Sequence, residues 1–204
     1  MNWKKLSFLI FILLICDQVL KIWIKTHLQL NDAIVIFPDW FQLHFIENNG
    51  AAFGMQLSTG TGIDWGKILL SFFRVGMICF LGWFMHRLIT RKAPTGVLLG
   101  LAFIFAGALG NLIDSAFYGM FFSASTPATV AHFGGSYAGF MMGKVVDMFY
   151  FPLFQWNGVP QWLSFLVDSN NYFFGAIFNL ADAYISVAVF YMLIFQYKFI
   201  NSEL

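Results

Sequence analysis

The sequence predicts an all-α membrane protein: four transmembrane helices with a small extracytoplasmic β-element and a long outer loop. Three observations carry that expectation. The chain of 204 residues is 59% hydrophobic and only 10% charged, whereas a soluble domain carries about 25% charged residues. Its apolar residues gather into runs close to the roughly 20 residues that span a bilayer, at 6–25, 68–86, 95–117 and 175–195. Lys4, Lys5, Arg87, Arg91, Lys92 and Lys198 fall at the N-terminus, the second-to-third connection and the C-terminal end, which share one side of a four-helix scheme. Lys and Arg bias in short loops sets orientation, so both termini are expected in the cytoplasm, with loops 27–65 and 119–174 outside.

The first run also imitates a secretory signal, with a basic start and an apolar stretch ending Leu13-Leu14-Ile15-Cys16. Cleavage sites want a small residue before the cut and Ile15 is bulky, so the segment is expected to stay as the first helix. Cys16 and Cys79 both fall inside spans, where thiols act as small apolar fillers rather than as a disulfide framework. After the first helix, residues 34–53 mix aromatic and β-branched residues with Pro38-Asp39 and Asn48-Asn49-Gly50, the pattern of short strands joined by turns. Residues 121–137, rich in Ser, Thr, Ala and Gly, are expected as a mobile or interfacial loop. The aromatic segment 149–174 is broken by Pro152, Asn157, Pro160 and Asp168 and reads as interfacial. No repeat of fixed period divides the chain, and residues 1–204 read as one integral membrane domain.

The acids point to function, because a charge at a helix centre costs roughly 2.5–3.5 kcal/mol on translocon scales and marks a candidate site by default. Asp17, Asp114, Asp147 and Asp182 lie inside or beside the apolar runs. Asp17 and Lys21 are four apart and share a helix face, a spacing that suits a structural ion pair at membrane depth. In the third run Gly107, Gly110, Asn111 and Asp114 form one stripe; a small-xxx-small pair, Ala106 and Gly110, accounts for close packing but not for Asn111 or Asp114. Asn179 and Asp182 share a face within the first two turns of the fourth run, and Asp147 precedes the aromatic run Met148-Phe149-Tyr150-Phe151. Two carboxylates at one depth can share a proton and activate water, and Asp147 with Asp182 is the pair best placed to do so. A proton-coupled carrier using Asp17, Asp114 and Asp182 as a relay is the alternative that spacing leaves open.

Five blocks in order resemble the lipoprotein signal peptidase, or signal peptidase II, family: Asp17-Gln18-Val19-Leu20-Lys21, Asn48-Asn49-Gly50-Ala51-Ala52-Phe53, Gly107-Ala108-Leu109-Gly110-Asn111-Leu112-Ile113-Asp114, Val145-Val146-Asp147 and Phe178-Asn179-Leu180-Ala181-Asp182. The resemblance implies a membrane aspartyl endopeptidase that removes the signal peptide of diacylglyceryl-modified prolipoproteins just before the lipidated cysteine. It further implies Asp147 and Asp182 as the catalytic pair, Asn48, Gly50, Asn111 and Asn179 as substrate-binding or dyad-orienting residues, and Asp17, Lys21, Gly107 and Asp114 as support. The expected partners are the prolipoprotein, membrane lipid and a cyclic peptide antibiotic as inhibitor. Neither cofactor nor nucleic acid is expected, and a monomer suffices.

Two departures stand out. The family commonly carries Arg after the third-helix aspartate, where this chain has Ser115, and Arg74 in the second run is the candidate to supply that charge. The connection from Asp114 to Asp147 is also long, offering a lid or a membrane-surface contact. Other chemistries lack their residues: His27, His44, His86 and His132 do not have zinc-ligand spacing, no Ser–Lys pair stands out, and there is no Gly-x-Gly-Asp motif.

Overall fold

The computed structural model describes residues 2–38, 40–49, 65–168 and 170–199. Helix α1, Trp3–His27, opens on Asn2, whose side chain accepts the Lys5 amide at 3.1 Å, and closes with Lys25 and His27 in its last turn. Both ends thus satisfy the capping and dipole preferences of a helix. Its faces are inverted relative to a soluble helix: Asp17, Lys21 and Lys25 are buried, while Phe8, Phe11, Ile12, Ile15 and Val19 are exposed. Such an inversion suits a chain whose surroundings are apolar and whose interior holds the charges.

Strands β1, Ala33–Phe37, and β2, Phe41–Asn48, pair antiparallel, and β3, Val145–Tyr150, pairs antiparallel with the other edge of β2. The first two lie where turn and β-branched signals placed them. The third corrects the all-α expectation, which had left these residues as an aromatic run at the interface. A run of six residues, five apolar and one the acid Asp147, carries too little periodicity to separate strand from helix; the partner strand, a hundred residues away, decides it.

Helix α2 covers Trp65–Thr90 and α3 Thr95–Ile113. Helix α3 continues through a π-helical turn, Asp114–Tyr118, into one helical turn, α4, Gly119–Phe121. A 3-10 turn, Gln161–Leu166, precedes α5, Leu180–Phe195. Among the described residues, α1, Leu69–Thr90 of α2 and the composite Thr95–Phe121 are long and apolar enough to cross a membrane, and α5 is an apolar helix of 16 residues. The fourth run was expected from residue 175, but residues 175–179 are not helical, because Asn179 is the N-cap of α5 and not part of it.

Two apolar cores anchor the ends of the bundle. Leu6, Leu81, Met85, Leu88, Val97 and Leu98 pack α1 and α2 onto α3, and Ile24, Phe45, Phe122, Val146 and Met148 pack the sheet onto the far end of α1. The Ser/Thr/Ala loop, expected as mobile or interfacial, is anchored to that second core at Phe122 and Tyr137. Phe122 bridges to Phe133 and Thr126 to Thr129, and the buried Ser125 hydroxyl donates to Glu47 at 2.9 Å. Cys16 and Cys79 are free and exposed on their helices.

Candidate active site

Lys21 is fully buried and its ammonium meets Asp17 at 3.0 Å, Asp114 at 2.8 Å and Asn111 Oδ1 at 2.9 Å. Those partners use its donors. Gln18 completes the layer, donating from Nε2 to Asp114 at 2.9 Å, Asp17 at 3.1 Å and the Gly110 carbonyl at 3.3 Å, while its Oε1 accepts from the Tyr118 hydroxyl at 3.1 Å. Asp17 also accepts the Ala181 amide of α5 at 3.0 Å, and Asp114 accepts the Val146 amide of β3 at 3.3 Å. The ion-paired layer therefore ties α1, α3, α5 and β3 together. The glycines of the α3 stripe make this approach possible: a Cβ at Gly110 would sit 2.6 Å from Asp17 Oδ2, and one at Gly107 would run into the Ala181 carbonyl.

A second layer rests on the first. Because lysine can only donate, Lys21 draws the Asn111 oxygen toward itself, and the Asn111 amide then points its Nδ2 at Asp182 Oδ1, 2.8 Å away. Asn179 donates to Asn111 Oδ1 at 3.1 Å and to Asp147 Oδ1 at 2.7 Å. Asn179 thus serves one acid of the expected pair and Asn111 the other, and the two asparagines are joined. Asn179 and Asp182 are also a capping box, with the Asp182 amide donating to Asn179 Oδ1 at 2.9 Å and the Asn179 amide to Asp182 Oδ2 at 3.4 Å.

Asp147 reaches this layer through the sheet. In β3 alternate residues face opposite ways, so Val146 and Met148 enter the apolar core while Asp147 turns toward the asparagines. Phe149 and Phe178 exchange backbone bonds of 2.7 and 3.1 Å, and this bridge sets Asn179 beside Asp147. Burial, and next the charge of Asp182, raise the Asp147 carboxyl to about 7, while the bonds from Asn179 and Asn48 work the other way.

The arrangement brings Asp17, Lys21, Gly107, Asn111, Asp114, Asp147, Asn179 and Asp182 together, with Asn48 at the rim through its bond to Asp147. Gly50 lies outside the described residues, as do Ala51, Ala52 and Phe53. Arg74 donates to the Ser115 hydroxyl at 2.8 Å, and Ser115 passes a bond to the Asn111 carbonyl at 3.1 Å. The guanidinium lies within electrostatic range of Asp182 first, then of Asp114 and Asp147. Among the described residues no group of three or more His, Cys, Asp or Glu side chains is placed to hold a metal ion.

Gln18 was missed by sequence reasoning although it stands inside the first block; a second polar residue beside Asp17 in an apolar helix was the available signal. The pair of Lys25 and Glu47, joined by Ser125 from the long loop, was missed as well. Lys25 is four residues from Lys21 and so on the same face, but nothing in the sequence indicated its partner.

The profile of the Signal peptidase (SPase) II family matches residues 9–198. The chain belongs to the signal peptidase II family. It is accordingly an aspartic peptidase of the membrane. Similar relatives are the lipoprotein signal peptidases of Porphyromonas gingivalis, 42% identical over 94% of this chain and 82% of theirs, and of Amoebophilus asiaticus, 32% identical over 86% of this chain and 70% of theirs. A solved bacterial membrane enzyme superposes with a TM-score of 0.61 at 20% identity, over 96% of this chain and 89% of its own. A second reaches 0.60 at 21%, over 94% and 92%. At such identities the likeness speaks for the fold alone.

Proposed function

We propose that this chain is the endopeptidase that cuts diacylglyceryl-modified prolipoproteins just before the lipidated cysteine, with Asp147 and Asp182 as its water-activating pair. The observation that carries the reading is the matched set of bonds, Asn179 to Asp147 and Asn111 to Asp182, which ties two carboxyls from different elements into one frame, within electrostatic range of each other. Like charges in contact do not both ionise cheaply, so the pair keeps one proton between them. Asp147, the more buried, carries that proton and donates it to the scissile carbonyl oxygen as the Asp182 carboxylate takes a proton from the attacking water. The tetrahedral adduct collapses when the amine leaving group receives the proton held by Asp182, and the adduct's hydroxyl returns one to Asp147. Asparagines suit this setting because they bind and orient without adding charge.

The same reading places the protein in the bacterial inner membrane as a monomer, both termini cytoplasmic. Lys4, Lys5, Arg87, Arg91 and Lys92 lie at the ends of α1, α2 and α3 away from the acids, which supports a site on the outer side. The test is cleavage of a diacylglyceryl prolipoprotein by the purified protein in detergent, beside an unlipidated form of the same polypeptide. Only the lipidated form is expected to be cut, and equal cutting of both would overturn the assignment of substrate.

Two further outcomes follow from the site. A carboxyl raised to about 7 is neutral below that value, so cleavage is expected to decline as pH rises through about 7, when the pair loses its shared proton. Stability moves the same way: a raised carboxyl contributes most below its ordinary range and loses that contribution as pH climbs through the folded-state value. A rate profile and an unfolding profile across pH check both, and a rate still rising above 8 would contradict the assignment. The second outcome concerns Ser115, which is buried and already bonded to Arg74. Ser115→Arg would set a second guanidinium against the first, so yield and cleavage are expected to fall; a gain in cleavage would show that Arg74 does not serve the site.

A further inference from the structure

A cavity of about 610 Å³ opens between α2, α3 and the stretch Phe140–Met142. That volume lies within the roughly 300–1,000 Å³ of small-ligand sites. Its walls include Val75, Leu109, Ile113, Ala116, Phe140 and Met141, and Ser71 is the lining residue with a polar side chain. The Ser71 hydroxyl is directed to the Met141 carbonyl at 3.3 Å, so the interior offers a ligand no strong polar partner.

The roof is built. In the π-helical turn the backbone leaves its regular pattern, and the long loop takes up the freed carbonyls: the Met141 amide donates to Ala116 at 3.2 Å and the Gly143 amide to Ser115 at 2.8 Å. Lys67 donates to the Met142 carbonyl at 2.8 Å, and the Phe140 ring meets Phe117 edge-on at 5.9 Å. Met141 is held at φ +63, a left-handed conformation that few side chains adopt without support.

The cavity and the active site share chain segments. Ile113 and Ala116 line it, while Asp114 and Ser115 between them meet Lys21 and Arg74 of the site. Met142 stands five residues before Asp147 on the same connection. We propose that this cavity receives one acyl chain of the substrate's diacylglyceryl-cysteine. The inference rests on the peptidase reading above. In that substrate the acyl chains hang from the residue next to the scissile bond, so a chain bound beside Ala116 would hold the cut site near the dyad. An extended peptide is a poor occupant because its backbone groups would go unpaired there. Unbranched methylenes need no partner, and flexible methionine side chains mould to them.

The test compares dipalmitoyl and dihexanoyl forms of one prolipoprotein on wild type, Val75→Trp and Leu109→Trp, which shrink the cavity from two walls. Both forms should be cut by wild type, with KM for the tryptophan variants rising on the order of tenfold for the dipalmitoyl form and little for the dihexanoyl form, since each lost methylene contact weakens binding. Unchanged KM for both, or equal rises for both, overturns the acyl site. Failure of wild type to cut either form overturns the peptidase reading itself. Should the tryptophan variants not fold, a diazirine-bearing acyl chain on the substrate decides the matter in wild type. Label is expected in residues 109–117 or 140–142, above that from a phospholipid bearing the same group; equal labelling by the phospholipid marks the cavity as a bulk-lipid site only and overturns the proposal.

Discussion

Asp182→Asn is expected to lower cleavage by about 10²–10⁴-fold or more while leaving the fold intact, and Asp147→Asn to do the same. General acid–base contributions are of that order, and removing either carboxyl ends the sharing of a proton. The fold should survive because asparagine keeps an acceptor oxygen for the short bond at each position, Asn111 Nδ2 at 182 and Asn179 Nδ2 at 147, and at 182 gives up only the longer 3.4 Å bond from the Asn179 amide. Asp147→Asn should even hold or raise the melting temperature, since the native carboxyl is disfavoured by burial and by its neighbour's charge. Gel-shift cleavage and thermal unfolding on the same preparations measure the two effects. Near wild-type turnover in either variant would remove that residue from the proposed pair.

Lys21→Met is expected to behave in the opposite sense, with stability lost first and activity lost as a result. Removing one partner of a buried pair typically costs about 3–5 kcal/mol, because the partner charge is left uncompensated. Here two carboxylates, Asp17 and Asp114, would be left facing each other across Gln18. The second consequence is local: without Lys21 to hold its oxygen, Asn111 is no longer fixed with its amide toward Asp182. A large fall in melting temperature together with lost cleavage is the expected result. A variant as stable as wild type but inert would move Lys21 from support into the reacting layer.

The contrast between these variants separates two layers that the sequence presents as one set of acids. Asp17 with Lys21, and the stripe Gly107, Gly110, Asn111 and Asp114, were legible because helix spacing puts residues three, four and seven apart on one face. Their bonds fall on that face as expected. The roles of Asn179 and Asp182 were half legible. Both were taken as residues inside a helix, whereas the chain enters α5 at Leu180 and uses Asn179 to cap it, so the two meet as N-cap and third residue. Hydropathy did not mark that start, because Asn179 is flanked by the apolar Phe178 and Leu180 and a single polar residue does not interrupt the run.

The sequence by itself determined the membrane class, the approximate course of the apolar helices, their polar stripes and the motifs that identify the family, all of which depend on residues close together along the chain. Tertiary structure alone decided the rest. It made Val145–Tyr150 a strand by pairing it with β2, turned Asp147 toward Asn179 through the Phe149–Phe178 bridge, set Arg74 on Ser115, and joined Lys25 to Glu47 and Ser125. Each of these contacts joins residues more than twenty positions apart. Local periodicity carries no record of such pairs; they form because a buried charge or an unpaired strand edge must find a partner wherever the fold brings one within reach.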